Sequence, residues 1–251
     1  MARLARWRLA AVLSLACAVA ACSPSAERNE TAEQAPGSTA AGSTSERLKG
    51  AGIEAVPLMD TKGWVDSRTK WASPRISVCW EPSAQNYTRE QGWIKDALAK
   101  SWEDASAVHF VGFNACTAGQ PGIHVALEDS GARTLGLGKE LDTIKNGLRL
   151  NPVFSSWNSW CADDEATRES CVRANAVHEF GHALGFVHEQ NRQDTPTSCN
   201  APRQGSDGDL ILTPWDPDSI MNYCNRDRMR KGGRLSQGDR DAVEKFYGNE
   251  M

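Results

Sequence analysis

Residues 178–190 read His-Glu-Phe-Gly-His-Ala-Leu-Gly-Phe-Val-His-Glu-Gln, and this run constrains the chain more than any other. His178 and His182 are four residues apart, which on a helix leaves them about 40° apart around the axis, on one face. Gly185 permits a sharp change of direction, so His188 can return beside the first two. Three neutral imidazole nitrogens suit Zn2+ and leave a fourth coordination position open, the arrangement of a catalytic centre and not of a structural one. Glu179, adjacent to the first ligand, is placed to act as general base on a water activated by the metal. Three of the chain's five histidines lie in this run. His109 and His124 fall in strand-like segments and read as ordinary core or surface groups.

The rest of the chain says where such a centre would work. At 251 residues there is enough length for one sizeable core, and a net charge of −4 lacks the basic excess that phosphate backbones demand, so no nucleic-acid partner is expected. Arg3, Arg6 and Arg8 precede an apolar run at 9–21, the pattern of a signal peptide (residues 1–21) and too short to span a bilayer. The run ends Val19-Ala20-Ala21-Cys22-Ser23, which resembles a bacterial lipobox with Cys22 as the acylated residue. Its removal would take away three arginines and leave a still more acidic, exported chain. Residues 22–70 read as a lipidated start and flexible linker, because the Ala, Ser, Thr, Gly, Glu and Pro that dominate its first half cannot bury enough surface to offset ordering entropy. Residues 71–251 are expected to form the catalytic domain. The expected location is a bacterial membrane or cell surface through the anchor on Cys22, or otherwise secretion.

Cysteine usage agrees with export. Of eight cysteines, Cys17 lies in the signal and Cys22 in the lipobox-like run, leaving six, an even set that suits three disulfides in an oxidising compartment. No Cys-x-x-Cys occurs, which speaks against a zinc ribbon. Hydrophobic spacing predicts strands at 75–80, 108–113, 123–127 and 147–154, and helices at 88–105, 165–184 and 236–247, with Ser236 capping the last. A strand–helix–strand order implies a right-handed crossover and a mainly parallel sheet. That crossover brings Cys79 and Cys116 together, and the remaining four pair most simply as Cys161–Cys171 and Cys199–Cys224. The stretch 191–217 is rich in Pro, Asp, Gly and Ser and reads mostly as loop.

The motif His-Glu-x-x-His-x-x-Gly-x-x-His, followed by Ser219-Ile220-Met221-Asn222-Tyr223, resembles the metzincin metallopeptidases with their methionine turn. Glu189 after the third histidine, Arg192 beyond it and Tyr223 two residues past Met221 resemble the astacins within that group. The resemblance implies an α+β, two-lobed catalytic domain, with a mixed, mainly parallel sheet and the active-site helix above a loop-rich C-terminal lobe. It implies a zinc endopeptidase that acts on protein or peptide substrates and is expected to be a monomer. It assigns His178, His182 and His188 to the metal, Glu179 to proton transfer and Tyr223 to the oxyanion, with Met221 as a hydrophobic floor. Asn222 departs from the histidine usual in astacins. In that family the residue matching Glu189 contacts a freshly cut amino terminus, which a long linker after Cys22 would keep away.

Other features weigh less. Trp157 and Trp160 could line a cleft but read first as packing residues. Asp207, Asp209, Asp216 and Asp218 match no calcium-loop template. The alternative reading is a lipid-anchored surface binding protein with a non-catalytic zinc site. The open coordination position and Glu179 speak against it.

Overall fold

A computed structural model of the chain describes residues 63–249. The expected signal, the lipidated Cys22 and the linker up to residue 62 lie outside the described residues. Residues 63–70, read with the linker, are part of the fold. Strand β1 (Gly63–Val65) pairs antiparallel with a strand inside the predicted loop, β7 (Leu210–Thr213), and Trp64 and Val65 are buried. A three-residue strand is too short to show periodicity, and its partner lies in a Pro- and Asp-rich stretch, so neither left a pattern in the sequence.

The main sheet follows the expected crossover. Strand β2 (Arg75–Trp80), helix α1 (Thr88–Ala99) and strand β3 (His109–Ala115) form a parallel unit. Strands β4 (Ile123–Leu127) and β6 (Leu148–Leu150) continue it in parallel, and the two-residue β5 (Arg133–Thr134) closes the edge antiparallel, giving the order β3-β2-β4-β6-β5. Helix α1 stops at Ala99, short of the predicted 105, where Lys100 turns out of helical geometry and Trp102 swings inward. The fully buried Trp102 donates its indole N–H to Val177 C=O at 2.8 Å, which ties the exit of α1 to the next helix. Strand β6 ends at Leu150, before the predicted 154. There Asn151 Oδ1 accepts from the N–H groups of Val153 and Phe154, turning the chain before Phe154 takes a left-handed φ of 58°.

Helix α2 (Glu165–Ala183) matches its predicted span almost to the residue. Asp164 caps its start by accepting from Thr167 N–H at 2.8 Å, and Gly185 ends it with φ 97°, a conformation β-carbons resist. Phe180 meets Phe110 of β3 edge-on at 4.8 Å, so the helix packs on the sheet. On its other side the chain forms the turn at 219–223 and helix α3 (Gln237–Tyr247), capped by Ser236 as read from sequence. Gly181 sits where these layers meet: a Cβ there would lie 2.5 Å from Met221 Sδ and 3.1 Å from the Trp102 ring. The result is the mixed α+β arrangement expected, with a mainly parallel sheet.

All three predicted disulfides are formed: Cys79–Cys116, Cys161–Cys171 and Cys199–Cys224. The parallel register sets Trp80 opposite Ala115, so Cys116 falls just past the strand end and within reach of Cys79. Among the described residues no helix is long and apolar enough to cross a membrane.

Candidate metal centre

The helix period delivers the first two imidazoles. His178 and His182 stand one turn apart on α2, both buried, their rings 4.8 Å apart and nearly perpendicular. After Gly185 the chain runs beside β1, with Val187 N–H donating to Trp64 C=O, and this brings His188 back to the helix. His188 Nε2 lies 3.2 Å from Nε2 of both His178 and His182.

Hydrogen bonding settles which nitrogen carries the proton. Nδ1 of His178 faces Ile220 C=O at 2.8 Å, that of His182 faces Phe186 C=O at 2.8 Å, and that of His188 faces Gln204 C=O at 2.9 Å. A carbonyl only accepts, so each Nδ1 must donate. Three Nε2 lone pairs are therefore turned on one another, an arrangement that a bound cation would satisfy. Tetrahedral zinc with Zn–N bonds of about 2.0–2.1 Å would separate its ligands by about 3.3 Å, close to the spacing present. The donor set fits zinc. Burial keeps the rings neutral, as a metal requires, lowering His188, holding His182 down to about 3 and His178 well below its usual value.

Glu179 is 5 % exposed and borders a cleft of about 330 Å³ together with His182, His188, Tyr223 and edge strand β5. Its Oε2 has no hydrogen-bond partner among the described residues, and burial pushes its carboxyl up to about 8. Tyr223 is half-buried with its ring 4.5 Å from that of His188 and 5.5 Å from that of His178. The Arg228 guanidinium covers the phenol at 4.5 Å. Met221 lies beneath the ligands against Gly181, the hydrophobic floor expected of it.

The turn that carries Met221 and Tyr223 is held from α3. Asp239 accepts from Ser219 Oγ at 2.7 Å, Ile220 N–H at 2.9 Å and Ser236 N–H at 3.0 Å, while burial pushes its carboxyl up to about 6. Ile220 in turn offers its carbonyl to His178. Sequence reading found Ser236 as a cap but missed this second task of Asp239. Asn222 is fully buried and builds the turn, donating to Asp216 C=O and accepting from Cys224 N–H.

Glu189 is buried beside the ligands, but its cationic partner among the described residues is Arg192, at 3.2 Å, and its Oε1 accepts from Asp216 N–H. Burial raises the Glu189 carboxyl to about 8, with Arg192 opposing. Among the described residues the cation that faces Glu189 is thus a guanidinium three residues away.

The discounted features fall as follows. Trp157 is 45 % exposed and does not pack as read, whereas Trp160 packs under the Arg230 guanidinium. His124 is a core histidine paired with the buried Glu81. The four aspartates do not converge: Asp207 pairs with Arg203, Asp209 accepts from Ser67, Asp216 from Ser236 and Asp218 from Lys231. Among the described residues a second group could hold a metal by spacing, Cys79, Cys116 and His124, but its two sulfurs are joined in a disulfide.

Comparison with known proteins bears on this geometry. Residues 166–204, which span most of helix α2, all three histidines and part of the loop that follows, match the model of the astacin peptidase family. The fold is similar to a solved structure described as that of myroilysin, with a TM-score of 0.50 and 19% identity over 75% of this chain and 100% of that one. No curated protein matches the chain.

Proposed function

We propose that this astacin-like zinc endopeptidase cleaves peptide bonds with Glu179 as general base and Tyr223 as oxyanion donor. Zinc held by His178, His182 and His188 would polarise the scissile carbonyl and acidify the attacking water. Glu179, buried at the cleft wall with its Oε2 unpartnered among the described residues, is placed to take the water's proton and pass it to the leaving amine. Tyr223, over the histidines on the open side, donates its hydroxyl to the carbonyl oxygen as that oxygen gains charge. Strand β5 supports a peptide as substrate. It is the sheet's edge, it lines the cleft, and an extended chain can pair with such an edge through main-chain hydrogen bonds. All of these groups come from one chain, consistent with a monomer.

The observation that carries the reading is the convergence of three Nε2 atoms beside Glu179, whose Oε2 is buried without a hydrogen-bond partner among the described residues. The purified protein should hydrolyse a denatured protein substrate, lose that activity to a chelator and regain it with zinc. Stoichiometric zinc without hydrolysis would favour a surface binding protein with a non-catalytic metal.

Export and anchoring on Cys22 belong to the same proposal, supported by the lipobox-like run and by three disulfides that suit an oxidising compartment. Cys22→Ala should move the protein from the membrane fraction to the soluble exported fraction. A wild-type protein already soluble would remove the anchor.

A further inference from the structure

The three imidazoles are not supported alike. His182 donates to Phe186 C=O, four residues away on its own turn, and His178 donates to a turn held by Asp239. The acceptor for His188 is Gln204 C=O, sixteen residues on, in a stretch without helix or strand. A carbonyl in such a stretch is only as well placed as whatever holds its peptide.

Asn191 holds it. Its Nδ2 donates to Gln204 C=O at 2.7 Å, and Gln204 N–H donates back to Asn191 Oδ1 at 3.0 Å. The carboxamide grips residue 204 as a neighbouring strand would, with one donor and one acceptor. Asn191 is only 1 % exposed, and Arg203 Nη1 donates to its carbonyl at 2.5 Å, so the grip is itself anchored. Both lone pairs of the Gln204 carbonyl are then in use, one by Asn191 and one by His188.

We propose that Asn191 is a positioning residue of the metal centre: by fixing the Gln204 carbonyl it fixes the tautomer and ring direction of His188. The proposal rests on the zinc reading above. Without the Asn191 donor the carbonyl is free to turn towards water, and His188 can move its proton to Nε2, where it blocks coordination. Support of this kind is typically worth about 10–100-fold in metal affinity. Gln204 takes part through its backbone.

The test uses the full chain, stripped with a chelator and titrated with zinc against a competing dye, with the visible spectrum of the cobalt(II) form as a second readout. The unaltered protein should bind about one zinc. Asn191→Ala and Asn191→Asp should bind about 10–100-fold more weakly and shift the cobalt spectrum. Asn191→Asp keeps the volume and the acceptor but sets an oxygen against the Gln204 carbonyl, so it decides the matter if the alanine variant does not fold. A variant-independent reading is amide exchange at Gln204 in the stripped, unaltered protein, which should be slow. No zinc uptake by the unaltered protein would sink the metal reading itself. Normal uptake there, with unchanged affinity and spectrum in Asn191→Asp or solvent-rate exchange at Gln204, would overturn the role of Asn191 alone.

Discussion

Two of the three imidazoles stand on a helix and the third stands on a loop. In α2, position follows from the chain's own period: four residues put His178 and His182 on one face, a cap starts the helix and Gly185 ends it. In the stretch from 188 to 224, position is imposed from a distance. His188 is oriented from Gln204, Asn222 spans to Asp216, and Asp239 of α3 holds the turn that carries Met221 and Tyr223. The helix side can be written into a short motif because its geometry is local. The loop side is a network of single hydrogen bonds whose partners lie 6 to 20 residues apart. The helix side therefore supplies two ligands from its own period, and the loop side supplies the third and places the groups that act beside the metal.

Removing a ligand from the helix side should have the largest effect. His182→Ala is expected to lose both zinc and hydrolysis, since two imidazoles do not make a three-nitrogen site. Metal analysis beside an activity assay checks this, and retention of stoichiometric zinc would break the comparison at its stronger end. A change on the loop side that spares His188 and its support should leave the metal in place. Tyr223→Phe keeps the ring against His188 and removes only the hydroxyl, so zinc content should hold while kcat falls about 10²–10³-fold, roughly 2.7–4 kcal/mol. An unchanged kcat in the zinc-loaded variant would reduce Tyr223 to a packing residue.

Acid should act on both sides at once and more gradually. In the metal-free protein all three rings are held neutral by burial, with His182 down to about 3 against an ordinary value of 6.5. The unfolded chain takes up protons near 6.5 while the folded chain does not. The histidine contribution to stability is therefore complete above that pH and falls as pH drops towards the folded values, by about 1.4 kcal/mol per pH unit for each such histidine, while the raised carboxyls of Glu179, Glu189 and Asp239 oppose it. Proton NMR of the imidazoles in the stripped protein at about pH 7.5 and about pH 5, either side of the ordinary histidine value, should show all three rings still neutral at the lower pH. Rings that charge between those two pH values would mean that burial does not hold them neutral.

The same division explains what could be read from the residues alone. Helix α2, the β2–α1–β3 crossover and the Cys79–Cys116 bridge were legible because each depends on spacing or strand direction within a short span. Strands β1 and β7 were not: each is short, and each is a strand only because the other lies beside it. Asn191 left no signal either. An asparagine near a loop is ordinary, and its meaning comes from Gln204, thirteen residues away. Glu189 and Arg192 were each noticed, but their pairing waited for the turn that sets them 3.2 Å apart.

The central claim is that His178, His182 and His188 gather a zinc ion for hydrolysis and that Glu179 moves the proton. The most direct measurement is a zinc titration of chelator-stripped protein, unaltered and Glu179→Ala, reading bound metal and substrate hydrolysis in the same samples. The account predicts identical uptake of about one zinc in both. It predicts hydrolysis that rises with bound zinc in the unaltered protein and is reduced by about 10²–10⁴-fold in the variant. Hydrolysis independent of zinc, or full activity in zinc-loaded Glu179→Ala, would contradict it.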